Sequence, residues 1–172
     1  TAYDILPIWV MRMMLLSIYL TGKSPFKYVY LHGLVRDELG RKMSKSVGNA
    51  IDPTELCNKY GTDSLRMALV MSTTAGQDSN TGENKVRGMR NFANKIWNAG
   101  RYIAEKSKED TVAKGEKDGE FIEKLSVVTA EVTKLLDQMK VGLASETIYN
   151  EFWHWFCDSA IEQNKQKLVS DA

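Results

Sequence analysis

The sequence predicts a mainly α-helical chain with a small α/β part near its start. Three observations carry that expectation. Residues 5–20 are apolar except for Arg12, Ser17 and the break at Pro7. The run Lys27-Tyr28-Val29-Tyr30-Leu31, rich in β-branched and aromatic residues, stops at His32-Gly33 as a short strand would. From Glu83 onward apolar residues recur at steps of three and four, the period of an amphipathic helix.

In chain order, Pro7 suits the first turn of a helix, where its missing N–H costs nothing. That helix runs to about Leu20 and is stopped by Thr21-Gly22. Apolar nearly all round, it reads as a buried core helix. It is expected to be too short for a membrane span, and it lacks the basic start and cleavage site of a signal peptide. A strand running into His32-Gly33 places both residues at its carboxyl edge, where open α/β sheets bind ligands. Leu34 to Gly40 reads as a turn or short hairpin. Asp52-Pro53-Thr54-Glu55 has acid, proline and glutamate at the spacing of a helix start. The short helix it opens ends before Gly61, and Thr62 or Asp63 caps the next, with Leu65, Met67, Ala68, Leu69 and Met71 available to a core. Ser72 to Gly82 reads as a polar loop.

The long helix beginning at Glu83 sets Val86, Met89, Ala93, Ile96, Gly100 and Ile103 on one side, widened by Phe92 and Trp97. Arg87, Arg90, Asn94, Asn98 and Arg101 follow the same steps on another. Such a stripe suits a solvated bundle face or the backbone and loops of an RNA. A charged link, Glu105 to Gly119, precedes a second amphipathic helix marked by Phe121, Leu125, Val128, Val132, Leu135 and Met139. A third runs from about Ser145 to Leu168. Its aromatic cluster reads as bundle core, and His154 as a packed, hydrogen-bonded residue. Three helices so spaced suggest an antiparallel bundle lacking later members.

The 172 residues are 43% apolar and 26% charged, the balance of an ordinary soluble globular protein. A net charge of +1 argues for no partner by itself. Its distribution is less even: residues 1–50 hold seven Lys/Arg against three Asp/Glu, residues 83–108 seven against two, and residues 109–172 seven against thirteen. Cys57 and Cys157 have no metal-ligand spacing, so two free thiols in a reducing cytoplasm are expected. Beginning at Thr1 in an apolar run, the chain reads as a piece of a longer protein.

The stretch richest in chemistry is Arg41-Lys42-Met43-Ser44-Lys45-Ser46-Val47-Gly48-Asn49. Two lysines three apart, small hydroxyl residues between them and a glycine after them suit a mobile cationic loop closing over a polyphosphate. Lysine is a compact charge on a flexible stem, and serine hydroxyls and loop N–H groups add donors around an anion. Letter for letter, Lys42-Met43-Ser44-Lys45-Ser46 resembles the signature loop of the class I aminoacyl-tRNA synthetases. Thr1-Ala2-Tyr3-Asp4-Ile5-Leu6-Pro7-Ile8-Trp9-Val10 and His32-Gly33-Leu34-Val35-Arg36-Asp37 are similar to segments of the valyl-tRNA synthetase family within that class. Isoleucyl enzymes typically carry Asp-Gln-His-Arg-Gly-Trp where Asp4 to Trp9 stand here. Ile8 and Val47 depart from the commonest valyl pattern, and Ile8 adjoins the pocket wall.

The resemblance implies the C-terminal end of a Rossmann-like catalytic domain followed by an incomplete anticodon-binding-type helical bundle. Residues 1–50 would end the nucleotide-binding domain, 51–82 would form connecting stem-contact helices, and 83–172 a truncated tRNA-binding bundle. It further implies ATP, with Mg2+, and valine as substrates and tRNA(Val) as partner. No metal is held by this segment, and no membrane or protein partner is implied. Asp4 would accept hydrogen bonds from the ribose, His32 and Gly33 would sit against the adenosine, and Trp9 would wall the amino-acid pocket. Lys42 and Lys45 would be catalytic and contact the phosphates, Lys45 as the principal ligand, and Met43 and Ser44 would also line the ATP/adenylate site. Arg87, Arg90 and Arg101 would face tRNA. The class's other signature, His-x-Gly-His, is absent, since the only histidines are His32 and His154. Nor can any stretch hold an inserted editing domain. The isolated chain is therefore expected to be inactive. An isoleucyl counterpart, an RNA-binding helical module without catalysis, and an unrelated nucleotidylyl transferase remain as alternatives.

Overall fold

The computed structural model describes residues 1–37, 39–73, 76–80, 82–106 and 118–163 and is mostly helical. The chain divides into two compact units, one made of residues 1–51 and 72–82, the other of 52–71 and 83–172.

The first unit is built on a narrow parallel ladder. Thr1 donates its terminal ammonium to the Tyr30 carbonyl (3.1 Å), and the His32 N–H donates back to the Thr1 carbonyl (3.0 Å). On the other side, Gly76 N–H reaches the Leu31 carbonyl (2.9 Å) and Ser79 N–H the Leu34 carbonyl (2.9 Å). Strand β1 (Val35–Arg36) thereby pairs in parallel with β2 (Ser79–Asn80), and His32 bridges in parallel to Ala2. The sequence placed its strand at residues 27–31; the pairing begins later, because partners exist only from Tyr30 onward. His32-Gly33 consequently lies inside the ladder rather than at its carboxyl edge. The expected polar loop from Ser72 to Gly82 contributes β2, its polarity concealing a strand whose stability comes from pairing.

Past Ala2 the chain turns through a short 3-10 turn, Tyr3–Ile5, and a π-helical turn, Leu6–Val10, with Pro7 in its first turn, into helix α1 (Met11–Thr21). Gly22 ends α1 in the left-handed conformation (φ 70°), its N–H capping the Ile18 carbonyl at 2.9 Å. The expected burial of this helix is not met. Val10 is buried, but Leu15, Tyr19 and Leu20 are 61%, 86% and 75% exposed. The length argument against a membrane span also fails. Tyr3–Thr21 is a continuous helical stretch of 19 residues, long and apolar enough by length and composition alone to cross a bilayer.

The second unit has its own core. Asp52 caps α2 (Pro53–Tyr60) by accepting from the Thr54 N–H at 2.8 Å, as the sequence pattern predicts. Leu56 of α2, Leu65 and Ala68 of α3 (Thr62–Met71), and Val86 and Met89 of α4 (Glu83–Lys106) form the buried cluster. Cys57, Tyr60, Met67, Met71 and Tyr149 pack against it, whereas Leu69 stays 39% exposed. Glu83, in the first turn of α4, accepts from Lys59 and from the Tyr60 hydroxyl (2.6 Å), tying α4 to α2.

Helices α5 (Asp118–Asp137) and α6 (Val141–Asn150) form an antiparallel pair, and α6 continues as a π-helical stretch, Glu151–Ile161. The expected link shrinks accordingly, since Glu105–Lys106 belong to α4 and Asp118–Gly119 to α5, while residues 107–117 lie outside the described residues. The proposed extension of the last helix to Leu168 lies outside them too. Its aromatics pack on one another and on their neighbours. Phe92 sits 4.7 Å from Tyr149 and 5.8 Å from Phe152, while Phe121 stacks on Trp155 at 5.0 Å. Lys95 and Lys124 lie over the rings of Trp153 and Trp155. His154 is not the packed residue the sequence suggested. Its side chain is 68% exposed and faces Asp158 at 3.6 Å.

Helix α5 ends in a Schellman arrangement, with Lys140 N–H on the Leu135 carbonyl (2.8 Å) and Met139 N–H on the Leu136 carbonyl (2.9 Å). The left-handed position is taken by Met139 (φ 59°), the one non-glycine residue at positive φ among those described. A side chain there costs about 1 kcal/mol, and this one is 40% exposed. Met139→Gly should therefore raise the urea midpoint by roughly that amount of stability. A lowered midpoint would mean that the side chain's packing outweighs the strain.

Candidate functional site

Within the first unit the candidate site grows from the chain ends of the ladder. Asp4 follows the pairing of Ala2 with His32 by two residues, in the turn that leads to α1. Beyond β1 the chain makes a tight hairpin, Arg36 bridging antiparallel to Lys42, with Asp37 N–H on the Arg41 carbonyl (2.9 Å). The lysine loop hangs from this hairpin, and Lys42 comes back to Asp4 in an ion pair of 2.9 Å. Their partnership lowers the Asp4 carboxyl below its ordinary value and raises Lys42 above its own.

The base of the loop is held by two side chains that motif reading passed over. Asp37 accepts at one oxygen from the Arg41 N–H (2.7 Å) and at the other from Arg41 Nε (2.8 Å) and Asn49 Nδ2 (2.9 Å). The Asn49 Oδ1 in turn accepts from the Ser44 N–H (2.9 Å), and its amide also reaches the Lys42 carbonyl (3.2 Å). Residues 41–49 thus close into a ring. Met43 and Ser44 are half-buried, the Ser44 and Ser46 hydroxyls lie 3.1 Å apart, and Lys45 is exposed. Gly48 (φ 72°) returns its N–H to the Lys45 carbonyl at 3.2 Å, closing the far turn.

Gly33 lies so close to the backbone of Gln77 that an added Cβ would fall inside the radius of that carbonyl oxygen. Only glycine fits there, for a packing reason independent of any ligand. His32 uses its ring Nδ1 against the Gly33 carbonyl at 2.9 Å. Asp4, His32, Gly33, Lys42, Met43, Ser44 and Lys45 therefore all sit on or beside one small ladder and its hairpin. Trp9 stands on the π-helical turn, 52% exposed.

Arg87, Arg90 and Arg101 are on α4 in the second unit, all exposed, with Arg87 donating to Asn84 Oδ1 at 3.0 Å. Trp97 does not widen the packed side as expected. It is 74% exposed, and the spacing of 90, 94, 97 and 101 puts it in the basic stripe. The buried seam runs through Val86, Met89, Phe92 and Ala99, leaving Ile96 and Ile103 partly open.

Sequence reasoning also missed Asp78, whose carboxylate joins Tyr3, Leu34 and Arg36. Its partners in β1 and the residue before it are 42 and 44 positions away, so no local spacing could reveal them. Among the described residues no group of three or more His, Cys, Asp or Glu could hold a metal. Cys57 and Cys157 are free thiols, and desolvation raises Cys157.

The family model for tRNA synthetases class I (I, L, M and V) matches residues 1–82, the stretch that carries the ladder, the turn to α1 and the lysine loop. The fold agrees. The Agrobacterium radiobacter K84 ternary complex LeuRS-tRNA-LeuAMS superposes with a TM-score of 0.69 at 22% identity, over 83% of this chain and 20% of that one. The lysine loop and the ladder it closes on both lie within that match, and in them the chain resembles the class I aminoacyl-tRNA synthetases. Within the class, valine–tRNA ligases resemble it along its whole length. It is 44% identical to the valine–tRNA ligase of Lactiplantibacillus plantarum over 99% of the chain, and 41% identical to that of Dehalococcoides mccartyi over all of it. Against the Aquifex aeolicus enzyme the identity is 40%. The chain spans about a fifth of the length of the first two ligases and 15% of the third.

The geometry makes the loop's dependence on Asp37 measurable. The Asn49 amide first, then Arg41, pull its carboxyl from 3.8 down to about 2. A lowered carboxyl contributes stability that is complete above 3.8 and is lost as the pH falls through about 2. In Asn49→Ala, NMR titration of the Asp37 carboxyl should show its midpoint moved up toward 3.8, with acid loosening of the loop beginning at correspondingly higher pH. A midpoint still near 2 would assign the shift to Arg41 alone.

Proposed function

We propose that this chain is the part of a valine–tRNA ligase that supplies the lysine loop of its adenylate site and opens its tRNA-binding bundle. The observation that carries the reading is the closed loop of residues 41–49, set against Asp4, in a chain similar to valine–tRNA ligases from end to end. Residues 1–50 end the Rossmann-like nucleotide domain, 51–82 connect, and 83–172 begin an anticodon-binding-type bundle. The substrates are valine and ATP with its Mg2+, the partner is tRNA(Val), and the compartment is the cytoplasm.

Activation joins the valine carboxylate to the α-phosphate of ATP and expels pyrophosphate. Negative charge grows on the leaving group. Cations held there stabilise the transition state more than bound ATP and so raise the rate. Lys45, exposed in the loop, is the principal phosphate ligand, with Lys42, Met43 and Ser44 beside it. Asp4 takes the ribose hydroxyls, His32 and Gly33 border the adenosine, and Trp9 walls the valine side chain. Since Asp4 is paired with Lys42, a ribose seated on Asp4 displaces that ammonium and frees it for the phosphates. No covalent enzyme intermediate is required, because positioning carries the chemistry.

In the full-length ligase, Lys45→Ala should slow valine-dependent ATP–pyrophosphate exchange about a hundredfold, roughly 3 kcal/mol of transition-state stabilisation. Valine binding should hardly change. Exchange within a few-fold of wild type would remove Lys45 from the reaction.

On α4 the Arg87, Arg90 and Arg101 stripe, with Trp97 exposed among them, suits RNA backbone contacts and stacking on an unpaired base. Replacing the three arginines together by alanine should weaken tRNA binding and flatten its salt dependence by up to about three counterions, leaving valine activation intact. An unchanged salt slope would make the stripe a solvated bundle face.

A further inference from the structure

We propose that Asp78 is a positioning residue of the adenylate site. Acting through Arg36, it sets where the hairpin carrying the lysine loop leaves the ladder. The inference rests on the reading of that loop given above.

One carboxylate oxygen, Oδ1, accepts from the Leu34 N–H at 2.8 Å and fixes the residue just ahead of β1. The other, Oδ2, takes the Arg36 guanidinium through Nε and Nη2 and also the Tyr3 hydroxyl at 3.2 Å. Arg36 does not stop there. Its Nη1 donates to the Gly40 carbonyl at 3.1 Å, across the turn that Asp37 and Gly40 close, while its backbone bridges Lys42. A side chain anchored at one end by Asp78 therefore spans the neck of the hairpin. Tyr3 adjoins Asp4, so the same carboxylate also touches the turn that presents the ribose ligand. Asp78 is 21% exposed and Arg36 35%, and a two-pronged carboxylate–guanidinium contact fixes direction as well as distance.

None of these contacts reaches a reacting atom. The expected signature is a fall in turnover without a fall in ATP affinity, because misaimed lysines lose contacts that mature only in the transition state. Asp78→Asn is the informative substitution. It keeps an acceptor for the Leu34 N–H but sets a neutral amide against Arg36.

The experiment uses the full-length ligase as wild type, Asp78→Asn, Arg36→Ala, the double variant and Lys45→Ala. It measures pyrophosphate exchange per titrated active site, KM for ATP and thermal midpoint. Asp78→Asn should lower kcat about tenfold with KM for ATP within about twofold, and the double variant should be no slower than the worse single one. A normal rate per active site, whether or not the melting point falls, would overturn the proposal and leave Asp78 a purely structural residue. Multiplying losses in the double variant would overturn it as well, since Asp78 would then not act through Arg36. If Lys45→Ala exchanges at the wild-type rate, the loop reading itself fails. A slow Lys45→Ala beside a normal Asp78→Asn sinks only the present inference.

Discussion

The first unit depends on one constraint: three short segments, far apart in sequence, must lie side by side with almost no sheet to hold them. The pairing joins Thr1–Ala2 to residues 30–36 and those to residues 76–80, through a handful of backbone hydrogen bonds. Each contributes only about 1 kcal/mol net, and among the described residues of this unit the only buried apolar ones are Ala2 and Val10. Side chains therefore complete what the ladder cannot. Gly33 lets the Gln77 backbone close in, and the Asp78 carboxylate takes the Leu34 N–H between the Gly76–Leu31 and Ser79–Leu34 backbone bonds.

The apolar helix α1 belongs to the same account. Its large side chains are open among the described residues, and such a surface calls for cover. A bilayer would provide it by length and composition. The class I match takes in residues 1–82, α1 among them, and the first valine–tRNA ligases the chain resembles are about five times as long as this chain. An apolar helix that would be anomalous in a complete small domain is ordinary in a segment of a larger one.

Legibility followed the range of the interactions. The Asp52 cap, the Gly22 stop and the periodicity of α4 depend on residues within a turn or two of each other, and all three were readable. The strand was misplaced by several residues because strand pairing is decided by partners 30 to 45 positions away. Asp37, Asn49 and Asp78 escaped notice for a related reason. Nothing in an isolated Asp or Asn says that it will accept from one backbone N–H and donate to, or hold, another segment. The lysine loop was legible as chemistry, yet its closed form was not. The ring depends on the Asp37–Asn49 bond, and both residues read locally as turn formers. Trp97 and His154 were misjudged on a finer scale, since a helical wheel gives direction but not the depth of the cover above it.

The two lysines of the loop, equivalent in the motif, are not equivalent in the fold. Lys42 stands at the neck, its backbone bridged to Arg36 and its ammonium paired with Asp4. Lys45 stands exposed beyond the Asn49 staple. An ion pair between partly exposed side chains contributes little to stability. On the proposed reading its consequence is instead that Lys42 and a ribose compete for one carboxylate, while no acidic side chain among the described residues is paired with Lys45. Nucleotide binding then exchanges one partner of Asp4 for another and leaves a second positive charge beside the first. Two exposed like charges repel by only about 1 kcal/mol in water even at 4 Å, and a polyanion between them turns that repulsion into attraction. On the proposed reading, the ion pair keeps that repulsion from building until the phosphates arrive, and the Asp37–Asn49 staple holds the loop closed meanwhile.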